Sequence, residues 1–243
     1  MKVIVVGSNG KMGSLICQLL QQKKDVEGVF DVDQENATFQ SLKDVPQADV
    51  LIDFSHPSLI KDILNYGLKY HTPLVIATTG HTLEQIEHIR QTSSQLPIFM
   101  SANYSFGIEV VSHVLRQISP SLIPEFDVEI VEKHHHHKID APSGTSKHLA
   151  QTIISSVQAP LTEVHGHLGK RQPNDLAIHA VRGGSIIGDH TIIFAGPDET
   201  IEISHHAQSR SIFAHGALRA ANWIIHQDHG FYQMKDLLKE LLS

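Results

Sequence analysis

The chain has 243 residues, 41% of them hydrophobic and 19% charged, with a formal net charge of −7. This is the composition of a globular protein with enough core for one large or two modest domains, and it argues against a dedicated nucleic-acid binder, which needs a basic stripe. No apolar run approaches the ~18 residues of a membrane span, and Met1-Lys2-Val3-Ile4 enters a strand directly, without the anatomy of a signal peptide.

In chain order, Val3–Val6 is a short, wholly apolar run of the kind found in buried parallel strands, and Gly13–Leu20 follows with Leu15, Ile16, Leu19 and Leu20 at helical spacing. The single cysteine, Cys17, lies in that helix and reads as a small core hydrophobe in a reducing, cytoplasmic setting. Strands are expected at Val26–Phe30, Asp49–Phe54, Leu74–Ala77 and Ile98–Met100, with helices at Leu59–Leu68 and Leu83–Gln91. The β-α-β rhythm predicts an α/β fold, a doubly wound parallel Rossmann-type sheet with ligands at the strands' carboxyl ends. After Asn103 the character changes. Gly107–Ile118 reads as a helix, Pro120 and Pro124 mark loops, and Phe126–Ile130 alternates apolar with charged residues as a half-solvated strand should. Ala177–Arg182, Thr191–Ala195 and Ile201–His205 are strand-like, so a second α+β domain on a mixed sheet, covered by a Ser146–Val157 helix, is expected. The helical end, Phe213–His226 and a short amphipathic tail, is assigned back to the first domain, because a five-stranded sheet needs helices on both faces. The expected division is 1–105 plus 211–243 and 106–210.

Gly7-x-x-Gly10-x-x-Gly13 follows a strand and opens a helix, the context in which glycines let backbone approach a pyrophosphate and helix N–H groups meet it. Eighteen residues past Gly13, Asp31 ends the second strand, where a carboxylate can accept from ribose hydroxyls and repel a 2′-phosphate. That slightly favours NADH, while Lys11 is within reach of such a phosphate and keeps NADPH open.

The densest chemistry lies in Glu129–Thr145, which holds four consecutive imidazoles, His134–His137, then Lys138 and a Ser143-Gly144-Thr145 turn able to open a helix. A tag sits at a terminus, and this run is internal. A metal site needs converging ligands, whereas adjacent imidazoles on an extended chain diverge and no cysteine accompanies them. A solvated loop accounts for some members, His136 and His137 foremost. General-acid work and carboxylate binding best explain His134, His135 and Lys138 beside the turn. Asp53 and Glu129 read at least equally well as loop or sheet-edge residues. Two other classes stay open: another two-domain oxidoreductase of small acids, and a dinucleotide-sensing or metal-binding module. A semialdehyde dehydrogenase would need a nucleophilic cysteine after the first domain, and Cys17 is in the first helix.

The Glu129–Thr145 segment resembles the signature of the 4-hydroxy-tetrahydrodipicolinate reductase (dihydrodipicolinate reductase) family. The similarity extends along the chain through Gly7–Gly13, Asp53-Phe54-Ser55-His56-Pro57, Thr78-Thr79-Gly80, Ser101-Ala102-Asn103-Tyr104-Ser105 and Arg210–Gly216. The resemblance implies a cytoplasmic homotetramer of two-domain subunits that reduces a cyclic imine-type dicarboxylate with NADH or NADPH, in the diaminopimelate route of lysine biosynthesis. It makes His134 the proton donor and Lys138 the second catalytic residue. His135, Lys138, Ser143, Gly144 and Thr145 then bind the substrate carboxylates. Gly7, Ser8, Asn9, Gly10, Lys11, Met12, Asp31, Ala77, Thr78, Thr79, Ser101, Ala102, Asn103 and Tyr104 line the cofactor, and no metal is implied. Ala77 stands where many members have glycine, and Lys11 where the family often has arginine.

Overall fold

The computed structural model describes residues 1–242. It divides into two compact units, Met1–Phe106 with Ser211–Ser243, and Gly107–Arg210.

The first unit is built on six parallel strands, β1 (Lys2–Val6), β2 (Gly28–Val32), β3 (Val50–Asp53), β4 (Leu74–Ile76), β5 (Pro97–Met100) and β11 (Gly230–Tyr232), in the order β11-β5-β4-β3-β1-β2. Strand alternation sorts the apolar side chains onto two faces. Val3, Val5, Val50, Ile52, Val75 and Phe99 pack on one side against helices α1 (Lys11–Gln21), α6 (Ser211–Ile224) and α7 (Met234–Leu242). Ile4, Val6, Leu51, Leu74, Ile76 and Ile98 pack on the other against α2 (Ile60–Tyr70) and α3 (Leu83–Thr92). With both faces covered, these strands need continuous apolar runs, and that is how they read. The doubly wound sheet is as expected, with one more strand than the five anticipated. β11, three residues long with glycine first, is too short to show a period. Asp53 is neither in a loop nor at a sheet edge. It ends the internal strand β3 with no exposure.

The second unit carries a mixed five-stranded sheet, β10 (Glu199–His206), β9 (Asp189–Gly196), β6 (Asp127–His134), β8 (Asp175–Arg182) and β7 (Thr162–Val164), in that spatial order. Helices α4 (Phe106–Leu122) and α5 (Gly144–Ser156) cover one face. There Ile108, Val111, Leu115, Leu149 and Ile153 meet Val128, Ile130, Ile178, Ile192 and Phe194. Three details depart from expectation. β6 runs four residues past Ile130, because the polar Glu132 and His134 continue the buried parity of Val128 and Ile130. Glu129 therefore lies on the central strand, not at an edge. Pro120 sits inside α4: in the last turn it forfeits one helical bond, and the Ile123 N–H still reaches the Ser119 carbonyl at 3.0 Å.

Close main-chain approach fixes two of the helices of the first unit. A Cβ at Gly216 on α6 would lie 1.7 Å from the Tyr104 carbonyl oxygen, and one at Gly13 on α1 would lie 2.1 Å from the Gly7 carbonyl oxygen. Backbone cannot yield as a flexible side chain can. We therefore expect Gly216→Ala to lower unfolding free energy by about 3 kcal/mol or more through overpacking. Gly28→Ala, whose new methyl meets only the Lys2 side chain at 4.0 Å, should stay within about 0.5 kcal/mol. Parallel urea titrations decide this, and equal midpoints for the two variants would refute the close-contact account.

Candidate active site

The glycine turn of the first unit lies where the strand order reverses, with β2 on one side of β1 and β3 on the other, the usual ligand crevice of an open α/β sheet. Gly7 has φ +82°, and its N–H donates to the Val32 carbonyl at 2.9 Å. A side chain there would strike the Phe54 carbonyl oxygen at 2.4 Å, so only glycine lets the two loops close on each other. Gly10 caps α1 with no side-chain bond of its own. The N–H groups of Lys11, Met12 and Gly13 open the helix and have no carbonyl behind them in it. Ser8 is buried, and the Asn9 N–H donates to the Asp33 carboxylate at 2.9 Å.

A cavity of about 490 Å³ opens beside this turn, lined by Gly7, Gly10, Asp33, Lys43, His56 and Lys69 among others. Asp31 is not among its lining residues. Its two carboxylate oxygens accept from the Thr38 N–H at 3.0 Å and the Thr38 hydroxyl at 2.6 Å. Burial raises the Asp31 pKa, but these bonds outweigh it and hold the carboxyl below its ordinary range. Asp33, two residues on, is the carboxylate over the glycine turn, a placement that counting eighteen residues does not reveal. Ala77, Thr78 and Thr79 follow β4, with the Ala77 N–H on the Asp53 carbonyl at 2.9 Å. Ser101, Ala102 and Asn103 follow β5, and the Asn103 side chain accepts from the Ser105 N–H at 2.7 Å. Tyr104 is a core residue whose hydroxyl donates to the Ile76 carbonyl at 2.8 Å.

In the second unit, His134 ends β6 and is largely buried. Its Nδ1 lies 2.6 Å from Glu132 Oε2. Glu132 has no exposure. Its Oε2 and Oε1 accept from the two terminal nitrogens of Arg182, each at 2.7 Å, and Oε1 also accepts from the Ser143 N–H at 3.1 Å. Burial raises the Glu132 pKa, yet the bonds from Arg182 and His134 prevail and hold it below the usual range. Ser143 caps α5 through its hydroxyl, which accepts from the Ser146 N–H and lies 3.1 Å from His190 Nε2. Gly144 and Thr145 are the first residues of that helix, so its positive end lies beside Glu132 and His190, which Ser143 bonds. The Lys138 N–H donates to the His135 carbonyl at 3.1 Å, and Lys138 Nζ pairs with Asp140 at 2.8 Å. Burial, followed by Arg210 and the neighbouring imidazoles, lowers the His135 pKa. His136 and His137 are exposed, their rings 3.9 Å apart.

The structure thus gathers His134, His135, Lys138 and Ser143–Thr145 into one locality and adds Glu132, Arg182 and His190, which sequence reasoning missed. A signal for Glu132 was present, since it shares strand parity with His134. Arg182 and His190 come from other strands through register alone. On the opposite face of β6, Glu129 meets His167 Nε2 at 3.0 Å and His179 Nε2 at 2.7 Å, a trio of metal-ligand types. Arg171 Nε occupies the same carboxylate at 3.1 Å and already neutralises it, so the trio reads as an ion-pair network.

The descriptions "Dihydrodipicolinate reductase, N-terminus" and "Dihydrodipicolinate reductase, C-terminus" match residues 1–104 and 107–238. A 4-hydroxy-tetrahydrodipicolinate reductase of Clostridium tetani (strain Massachusetts / E88) is 43% identical over 246 residues, covering 98% of this chain and 96% of its own. One from Staphylococcus aureus (strain MSSA476) is 40% identical over 244 residues, covering 98% and 100%. Among solved structures, a dipicolinate-bound dihydrodipicolinate reductase from Paenisporosarcina sp. TG-14 shares the fold, with a TM-score of 0.77 at 22% identity over 96% of this chain and 97% of that one. The chain belongs to the dihydrodipicolinate reductase family.

His190 sets a pH dependence. Burial, then the adjacent His134, lowers its pKa from 6.5 to about 4. Between those values the unfolded chain binds the proton that the folded chain refuses, so stability falls as pH falls. Glu132 acts in the same direction, because a depressed carboxyl contributes stability above its ordinary 4.5 and loses it as pH drops through the folded value. His190→Gln should therefore flatten the decline of unfolding free energy between pH 6.5 and 4 by on the order of 3 kcal/mol. Urea unfolding across that range checks it, and parallel curves for variant and wild type would sink the assignment.

Proposed function

We propose that the chain is an NAD(P)H-dependent reductase that converts 4-hydroxy-tetrahydrodipicolinate to tetrahydrodipicolinate, in the diaminopimelate route of lysine biosynthesis. The observation that carries the reading is the grouping of His134, His135 and Lys138 with the start of α5, in a member of this family. The first unit is the dinucleotide-binding domain. The second is the domain for substrate binding and oligomerisation, in a cytoplasmic homotetramer.

Reduced nicotinamide, when bound, supplies the hydride. The residues around the glycine turn fit a dinucleotide. Gly7 and Gly13 stand where side chains would strike backbone, the N–H groups of Lys11, Met12 and Gly13 can meet a pyrophosphate, and the adjoining cavity takes an adenosine-sized group. Asp33 on the cavity wall takes the place proposed for Asp31 in favouring ribose hydroxyls, while Lys43 and Lys69 on the same wall, with Lys11 at the helix start, keep a 2′-phosphate within the reading.

A substrate dianion loses its water shell on binding and needs cations and N–H donors in exchange. Lys138, His135 and the helix start at Ser143, Gly144 and Thr145 are assigned to its carboxylates, through the N–H groups of Gly144 and Thr145, since the Ser143 N–H is held by Glu132. Asp140, which holds Lys138 in this structure, is exposed and can be exchanged for a substrate carboxylate. Loss of the 4-hydroxyl with a neighbouring ring proton as water leaves a C=C conjugated with the C=N. Hydride then adds at the far carbon of that system, negative charge develops towards the ring nitrogen, and His134 Nε2 delivers the proton that completes the reduction, so substrate, hydride and proton balance product and water.

Losing a general acid costs ~10²–10⁴-fold in rate. His134→Gln should lower kcat by that order with KM little changed, and Lys138→Ala should impair both. A coupled assay with enzymatically generated substrate, following reduced-nicotinamide absorbance with each coenzyme, measures this. A change in KM alone would demote His134 to a binding group, and wild-type inactivity with both coenzymes would end the reading.

A further inference from the structure

Glu132 and Arg182 have no role in the proposed reaction, yet the Glu132 carboxylate is wholly buried with both oxygens bonded. Glu132 accepts from four donors, His134 Nδ1, both terminal nitrogens of Arg182 and the Ser143 N–H, at 2.6 to 3.1 Å. A side chain that fills its lone pairs in this way has one orientation, and so does the imidazole bonded to it. We infer that Glu132 is a positioning residue for His134, and that Arg182 keeps its carboxylate ionised for that task. This deepens the proposed reaction and rests on His134 being its proton donor.

The chemistry follows from which ring nitrogen is engaged. A carboxylate accepts and does not donate, so the imidazole must present a proton on Nδ1. Nε2 is then the nitrogen that exchanges a proton with substrate, and it regains that proton while Nδ1 stays bonded. Nε2 lies beside Gly188. A methyl at Gly188 would lie 3.1 Å from it, so the absence of a side chain at that position leaves the atom uncovered on that side. The charged and titratable groups around the ring are Glu132 from its own strand, Arg182 from β8, His190 from β9 and His135 from the following turn. His190, its ring 5.3 Å away edge-on, bonds to Ser143 through Nε2 and so does not compete for the Glu132 carboxylate. Arg182 also donates to the Asp140 carbonyl at 2.7 Å, tying the same guanidinium to the turn that carries Lys138.

A merely structural Glu132 would leave the His134 tautomer and the coupling between variants untouched. Three measurements therefore test the inference. Long-range 1H–15N correlation on histidine-labelled wild-type protein, with His134 identified by loss of its signals in His134→Gln, should show neutral His134 protonated on Nδ1. An Nε2–H tautomer would overturn the inference, whatever the variants do. Glu132→Gln should lower kcat by at least about 10²-fold with KM within threefold, as losing the carboxylate behind a catalytic histidine does elsewhere. The double variant Glu132→Gln/His134→Gln should be no slower than His134→Gln alone, because the two act as one unit. Additive losses would overturn the inference. Where Glu132→Gln fails to fold, Arg182→Lys replaces it: it keeps the charge, loses the bidentate fork and should lower kcat at least tenfold, and an unchanged kcat would count against the inference. The underlying reading fails separately, if His134→Gln itself keeps full kcat.

Discussion

Burying a carboxylate in the covered face of a β-sheet costs several kcal/mol unless its charge is matched and its lone pairs are filled. Glu132 meets both conditions, and the means of doing so organises the second unit. Arg182 must arrive from β8, which fixes that strand beside β6 in the register that sets Arg182 against His134. The Ser143 N–H must arrive from the start of α5, which fixes where the helix begins. His134 must turn its inner nitrogen to the same carboxylate. Losing one partner of such a group strands the rest, at about 3–5 kcal/mol. The fold therefore holds the histidine in place with the interactions that hold the fold together.

The first unit depends on a different constraint, the close approach of backbone to backbone. The three glycines of the opening motif are unequal in this respect. Gly7 and Gly13 lie where a Cβ would be 2.4 Å from the Phe54 carbonyl oxygen and 2.1 Å from the Gly7 carbonyl oxygen, whereas one at Gly10 would have 3.2 Å. The first two let β1, the β3 loop and α1 close together. Gly10 leaves space at the helix start, where an incoming phosphate would sit. Residues that look identical in the pattern thus differ in how closely backbone approaches them.

The parallel sheet was legible because buried strands must be continuously apolar, and Val3–Val6, Val50–Ile52 and Leu74–Ile76 are. β7 and β11, at three residues each, fell below any period. Sequence alone ends β6 near Ile130, because Glu132 and His134 look like solvent-facing residues until Arg182 and Ser143 are seen to satisfy them. Arg182 is fifty residues from Glu132 in sequence, and only strand register brings the two together. Distance from the glycines points to Asp31, while Thr38 takes up its carboxylate and Asp33 carries the next carboxylate past the strand end.

The two faces of β6 make a comparison that composition alone does not. On one face Glu129 is bonded by two histidines and an arginine, and on the other Glu132 by one histidine and an arginine. The residue types are nearly the same. His167 and His179, however, both reach their glutamate through Nε2, the far end of the ring. An imidazole bound in that way points its outer nitrogen inward and has spent the atom best placed to meet another molecule. His134 is bound through Nδ1, nearer the chain, which leaves Nε2 off the carboxylate and beside a residue with no side chain. Which nitrogen faces the carboxylate therefore decides whether a Glu–His–Arg cluster is closed on itself or leaves an imidazole nitrogen for another partner. That choice follows from geometry, since His134 lies two residues along the same strand as its glutamate, whereas His167 and His179 approach theirs from other segments of the chain.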